Sequence, residues 1–226
     1  MNNTCYVAQI EWPNEDNVVY LAKLPVDEQQ YAQRYSHPQR LRSFIASRLL
    51  LRRCLSLHHQ QSLDWRFFSH NKRLQLDPAQ THLHTSISHS QDWVACVLSE
   101  EAHCGIDIEH KTMQPHFMAI AKRFFAKSEY EYLQQLEATQ AEVVFLDFWT
   151  RKEACVKAWH TGLAHHLGQV SFDARELNPI TTPKCHQQLP LQVFCYSLVD
   201  WQLAVAIHSV KRFSTPPLFI FKGVLT

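Results

Sequence analysis

Glycine is scarce in this chain, four residues in 226 beside ten prolines. Loops of the form G-x-G-x-x-G or G-x-x-x-x-G-K-[ST] have too little glycine to be built here, which argues against a Rossmann dehydrogenase and a P-loop NTPase. Net charge is nearly absent as well, at +1, a poor balance for holding a nucleic-acid backbone. No run of eighteen apolar residues occurs, and Met1 to Trp12 shows no basic stretch followed by an apolar one. The seven cysteines are odd in number, widely spread and without a C-x-x-C pair, so neither a disulfide framework nor a structural zinc site is indicated. These absences lead us to expect a cytoplasmic protein with no membrane and no nucleic-acid partner.

What is present is uneven. At 46% hydrophobic residues the chain can bury one large domain or two small ones. Between Gln29 and Leu63 there is no acid, yet Arg34, Arg40, Arg42, Arg48, Arg52 and Arg53 all lie there. Such a local excess suggests a focused anion site, the alternative being a solvated basic helix face. The fifteen histidines lack an H-E-x-x-H frame, and neighbours such as His58-His59 and His165-His166 point in different directions on any regular element. We read them as ordinary surface or half-buried residues.

Pattern places the main elements. Leu41–Leu57 reads as a buried helix, Ala141–His160 as a long breaker-free helix, and Trp93–Leu98 and Ala204–Ile207 as short strands, with loops between Pro179 and Pro190. The word Asp92-Trp93-Val94-Ala95-Cys96-Val97-Leu98 is echoed 108 residues later by Asp200-Trp201-Gln202-Leu203-Ala204-Val205-Ala206. This predicts an α+β protein of two similar halves in pseudo-twofold arrangement, 1–100 and 101–226. Each half is a small mixed or antiparallel sheet packed with helices, and the active site lies in the cleft between them.

Four segments carry chemistry. Gly105-Ile106-Asp107-Ile108-Glu109 alternates with the period of a strand, so Asp107 and Glu109 share one face while Ile106 and Ile108 enter the core. Two such carboxylates are comfortable with a cation between them, and hard oxygen donors suit Mg²⁺ or Mn²⁺; a solvated acidic edge strand is the other reading. On the long helix Trp149, Glu153 and Lys157 form one i, i+4, i+8 stripe with Lys152 on its flank, a spacing that also serves plain surface pairing. Ser86-Ile87-Ser88-His89-Ser90 offers hydroxyls and an imidazole to a phosphate, or is a polar turn. In Arg123 to Tyr130, Ser128 is expected to cap a helix whose first turn holds Glu129.

In their order along the chain the segments resemble the 4'-phosphopantetheinyl transferase superfamily. Its pattern runs through an S-x-S-H-S-like stretch, G-[IV]-D-[IV]-E, F-x-x-x-E (here Phe125 to Glu129) and W-x-x-K-E-A-x-x-K (here Trp149 to Lys157). The length resembles the larger, monomeric type, similar to two fused copies of the short trimeric holo-carrier synthase. The resemblance implies transfer of the phosphopantetheine arm of coenzyme A to a serine of an apo acyl- or peptidyl-carrier protein, with release of adenosine 3',5'-bisphosphate. It further implies Asp107, Glu109 and Glu153 as Mg²⁺ (or Mn²⁺) ligands, Glu153 as base, and Lys157 as the cation at the pyrophosphate. Arg42, Lys72 and Lys152 would contact coenzyme A together with Lys157, and Ser88 and His89 would hold its 3'-phosphate. The segment from Lys111 to Arg123, with Met113, Phe117 and Met118 as anchors, would dock the acidic carrier. After Lys157 the family has a G-x-G-L turn, and here His160 stands where its first glycine is expected. Two other readings are a metal-dependent nuclease built on Glu109-His110-Lys111, which leaves the Trp149 to Lys157 motif unexplained, and an inactive carrier-binding module, which would be expected to lose one of the acids or the lysine.

Overall fold

The computed structural model describes residues 3–61, 64–70, 73–101, 103–112, 116–159, 167–173, 182 and 190–223. The first half opens with strand β1 (Asn3–Gln9), passes through the short helices α1 (Asn17–Leu21) and α2 (Val26–Ala32), and enters the long helix α3 (Pro38–His59). A small hairpin, β2 (Phe67–His70) with β3 (Arg73–Leu76), precedes a larger one, β4 (His84–Ser90) with β5 (Trp93–Ser99). The second half repeats the plan: strand β6 (Cys104–His110), helices α4 (Phe117–Phe124) and α5 (Lys127–Leu133), long helix α6 (Ala138–Ala158), then the hairpin β7 (Leu191–Ser197) and β8 (Trp201–His208). A last strand, β9 (Leu218–Phe221), runs parallel to β1 and so crosses the 100/101 division back into the first sheet.

Sheet order is β4-β5-β1-β9 in the first half and β6-β8-β7 in the second. Each central strand alternates its faces. In β5, Val94, Cys96 and Leu98 join the core around α3, while Ala95 and Val97 face the other sheet. In β8, Ala204 and Ala206 join the core around α6, while Trp201, Leu203, Val205 and Ile207 meet the first sheet. The result is four layers, helix, sheet, sheet, helix, with a dry core between the sheets that includes Ile106 and Ile108. Trp93 and Trp201 lie 5.7 Å apart across this junction.

The sequence echo is therefore a structural one. Val97 and Val205, 108 residues apart, are partnered by Cys5 and Ile106 respectively. The Ile10 amide donates to Asp92 O as the Lys111 amide donates to Asp200 O. The same registers put Tyr6 opposite Cys96 where Asp107 stands opposite Ala204, and Ala8 opposite Val94 where Glu109 stands opposite Gln202. Tyr6 and Ala8 are buried under α3, so only one of the two equivalent positions carries carboxylates.

Helix α3 has Pro38 in its first turn, where a missing amide costs no hydrogen bond, and no further proline or glycine up to its end. Ile45, Leu50, Leu51 and Leu55 are fully buried, each stabilising by about 1.5–3 kcal/mol. Internal partners occupy three arginines of the acid-free block, Arg48, Arg52 and Arg53. Arg48 and Arg52 pair with the buried Glu28 at 3.2 and 2.9 Å, Arg52 also donates to Trp65 O, and Arg53 donates to Gly223 O. Arg34 and Arg40 are the exposed members.

Candidate active site

Gly105 sets the spacing of the site. A Cβ there would lie 2.0 Å from Ala154 O and 2.6 Å from Ala158 N, so β6 rests directly on the backbone of α6. No other residue permits that approach. The period of the strand then turns Asp107 and Glu109 toward α6, and the period of the helix turns Trp149, Glu153 and Lys157 toward β6.

Asp107 is 2% exposed. Its Oδ1 accepts from Lys157 Nζ at 2.6 Å and from Ser88 Oγ at 2.7 Å, and Ser88 Oγ in turn accepts from Lys157 at 3.0 Å. Its Oδ2 is buried without a hydrogen-bond partner, a costly state for a carboxylate oxygen. Glu153 Oε2 lies 3.9 Å from Lys157 Nζ. Glu109 accepts from Ser90 Oγ at 3.0 Å and from Trp149 Nε1 at 3.3 Å.

Three acids around one ammonium leave an excess of negative charge. Burial, and after it the Asp107 carboxylate, push the Glu109 carboxyl up to about 7. Burial, then Asp107, partly offset by Lys157, push Glu153 up to about 8. Burial works against the charge on Lys157, yet Asp107 and Glu153 together hold its pKa above the ordinary lysine value. Among the described residues no group of three or more His, Cys, Asp or Glu is arranged to grip a metal ion; the Lys157 ammonium is the cation against Asp107. The donors nevertheless suit a hard cation: they are all carboxylate oxygens, they repel one another, and one buried oxygen is unpartnered.

The other residues singled out from sequence divide into groups. Ser88 joins the acid cluster itself, and His89 is exposed near the end of β4. Arg42 is tied to Asp92 and donates to Ile10 O at 3.0 Å, next to the same β4–β5 turn. Lys72 and Met113 lie outside the described residues, as do His160 and Gly162. Phe117 and Met118 are half-buried against the core around α6, with the Phe117 ring 5.5 Å from Phe145, so they are partly spent on packing.

Lys152 is corrected outright. It does not flank the phosphate site: it is 0% exposed, pairs with Glu129 at 2.7 Å and donates to Leu167 O at 2.9 Å and to Val170 O. Glu129 also accepts from the Ala126 and Phe172 amides, at 2.8 and 2.9 Å. Helix α5 is accordingly capped at Ala126, two residues before the expected Ser128, with Glu129 reaching back to the cap amide. Ser90, one of the alternating hydroxyls Ser86, Ser88 and Ser90 expected to meet a phosphate, bonds the Glu109 carboxylate instead.

Comparison with known proteins points the same way. The model of the 4'-phosphopantetheinyl transferase superfamily matches residues 103–206, the stretch that holds β6 and α6. The 4'-phosphopantetheinyl transferase HetI of Nostoc sp. is 33% identical over 63% of this chain and 62% of its own length. For Sfp of Bacillus subtilis the figures are 29%, 70% and 75%, and for AcpT of Salmonella typhi 32%, 66% and 73%. The chain spans between about half and just under two thirds of the length of several relatives it matches, 64%, 62% and 52% for those of Synechocystis sp., Nostoc sp. and Bacillus pumilus. Since the matched stretch contains the glycine-spaced strand and the facing helix stripe, and AcpT is matched over most of its length, the chain belongs to the 4'-phosphopantetheinyl transferase superfamily.

Proposed function

We propose that this protein transfers the 4'-phosphopantetheine arm of coenzyme A to a serine of an apo acyl- or peptidyl-carrier protein, releasing adenosine 3',5'-bisphosphate. The observation that carries the reading is the buried Asp107 with its unpartnered Oδ2, set beside Glu109, Glu153 and Lys157 at the seam of the two halves. The named relatives are transferases of this kind.

Asp107, Glu109 and Glu153 are the residues that would hold Mg²⁺ or Mn²⁺, and such an ion supplies neutralisation of the pyrophosphate charge that otherwise repels the attacking hydroxyl. Glu153 takes the proton from the carrier serine as its oxygen attacks the β-phosphorus. Lys157, charged at neutral pH, hydrogen-bonds the oxygen of the departing phosphate and balances its growing charge. His89, with the exposed Arg40 in its electrostatic neighbourhood, faces the nucleotide end, and Arg42 contributes there if Asp92 releases it. Both walls of the site come from one chain, which supports action as a monomer, and the free cysteines among the described residues suit the cytoplasm.

The test is incubation of the protein with coenzyme A, Mg²⁺ and apo carriers of fatty-acid, polyketide and peptide-synthetase type, followed by mass spectrometry of the carrier. A phosphopantetheine adduct on at least one carrier is expected, and its loss in Asp107→Ala. No adduct on any carrier, from folded protein, overturns the reading.

A further inference from the structure

Of the alternate serines of β4, Ser88 is buried and Ser86 and Ser90 are half-buried. They lie along the edge of β6, in the other half of the molecule. Ser86 Oγ accepts from the Ile106 amide at 3.3 Å, and Ser88 Oγ donates to Asp107. Ser90 Oγ accepts from the His110 amide at 3.1 Å and donates to Glu109 Oε2 at 3.0 Å. A hydroxyl has one proton. Because the His110 amide occupies a lone pair of Ser90, that proton is directed at the carboxylate.

Glu109 is thereby held at both oxygens, Oε2 by Ser90 from the first half and Oε1 by Trp149 Nε1 from α6. The two bonds fix the plane of the carboxylate and leave its remaining lone pairs for a cation. Without Ser90, only the longer 3.3 Å bond to Trp149 would orient this carboxylate.

We propose that Ser90 is a positioning residue, which presents Glu109 to the divalent ion and so makes the metal face of the second half depend on a strand of the first. This rests on the reading that Asp107, Glu109 and Glu153 hold such an ion. Hydrogen-bond partners of metal-binding side chains commonly change affinity by 10–100-fold when removed.

The experiment is a titration of the full chain with Mn²⁺, read by electron paramagnetic resonance of the free ion, without coenzyme A or carrier. Half-saturation by coenzyme A is then measured at saturating metal. Ser90→Ala is expected to weaken Mn²⁺ binding about tenfold or more and to leave the coenzyme A value unchanged. Ser90→Thr, which keeps the hydroxyl, is expected to bind as the wild type does. Ser90→Cys, of similar volume but a weak donor, is expected to fall with the alanine variant. Ser86→Ala serves as the control, because it loses a bond to a backbone amide instead of a carboxylate.

Wild-type binding with an equally tight Ser90→Ala overturns the role of Ser90 alone. Equal weakening by Ser86→Ala overturns it too, by showing a general loosening of the seam. Wild-type protein that binds no Mn²⁺ overturns the metal reading and this inference with it.

Discussion

Lys152 and Glu129 form an ion pair from which water is excluded: Nζ lies 2.7 Å from Oε2 and neither side chain has exposed surface. The pair is ringed by the Phe125 ring, 5.0 Å from the ammonium, and by the carbonyls of Leu167 and Val170. It ties α5, α6 and the segment 167–173 together. Removing one member strands the other charge in the core, at a cost of about 3–5 kcal/mol. Lys152→Met is therefore expected to lower stability by that order in urea denaturation, while half-saturation by coenzyme A in the protein that remains folded is unchanged. Unaltered stability with a raised coenzyme A requirement would instead return Lys152 to the phosphate site.

The contrast between Lys152 and Lys157 shows what can be read from a sequence of this kind. The i, i+4, i+8 spacing of Trp149, Glu153 and Lys157 is intrinsic to a helix, so their common face was legible before any packing was known. Lys152 is one residue from Glu153 in sequence but about 100° away around the axis, and only the position of α5 decides whether that flank meets solvent or Glu129. Asp107 and Glu109 were legible for the same local reason, as alternate residues of a strand. The Asp92-Trp93 and Asp200-Trp201 echo disclosed the duplication because both words occupy equivalent central strands. What stayed hidden depends on long-range partners: Glu28 for Arg48 and Arg52, Asp92 for Arg42, β9 for the edge of β1, and the β6 edge for the serines of β4.

Gly105 makes a second prediction. Its missing side chain is the room in which β6 approaches α6, and the obstructing atoms are backbone, unable to swing aside. Gly105→Ala must push strand and helix apart, a strain of about 1–3 kcal/mol or more. It is also expected to widen the gap between Asp107 and the Lys157 stripe. Loss of transfer exceeding the loss of folded protein, measured by circular dichroism beside the mass-spectrometric assay, is the expected outcome. A variant with wild-type stability would show that β6 does not sit where the structure has it.

The arginines of α3 give a third. If Arg48 and Arg52 serve Glu28 and not coenzyme A, then Glu28→Ala should cost about 1.5–3 kcal/mol by leaving two charged hydrogen-bond donors without their acceptor. Arg52→Met should likewise lower the melting temperature. Neither change is expected to move coenzyme A affinity, measured by calorimetry. A marked drop in affinity with unaltered melting would restore the anion-site reading of the acid-free block.

The acid cluster also couples stability to pH. Glu109 and Glu153 titrate at about 7 and about 8 in the folded protein, against an ordinary glutamate value of 4.5. Between those limits the folded state holds protons that the unfolded chain has released, so metal-free protein is favoured at low pH and loses that contribution as pH rises. Its melting temperature in the presence of a chelator is expected to fall from about pH 5 to about pH 8.5, apart from any opposing titration elsewhere. Added Mg²⁺ must displace the same protons, so its stabilising effect should be small at the acidic end and grow toward the alkaline end. Differential scanning fluorimetry over that range, with and without Mg²⁺, reads both trends. In Asp107→Asn the repulsion that raises the two glutamates is reduced, and the metal-free slope should flatten. A Mg²⁺ effect that is largest at acidic pH would mean that these three carboxylates do not share one cation.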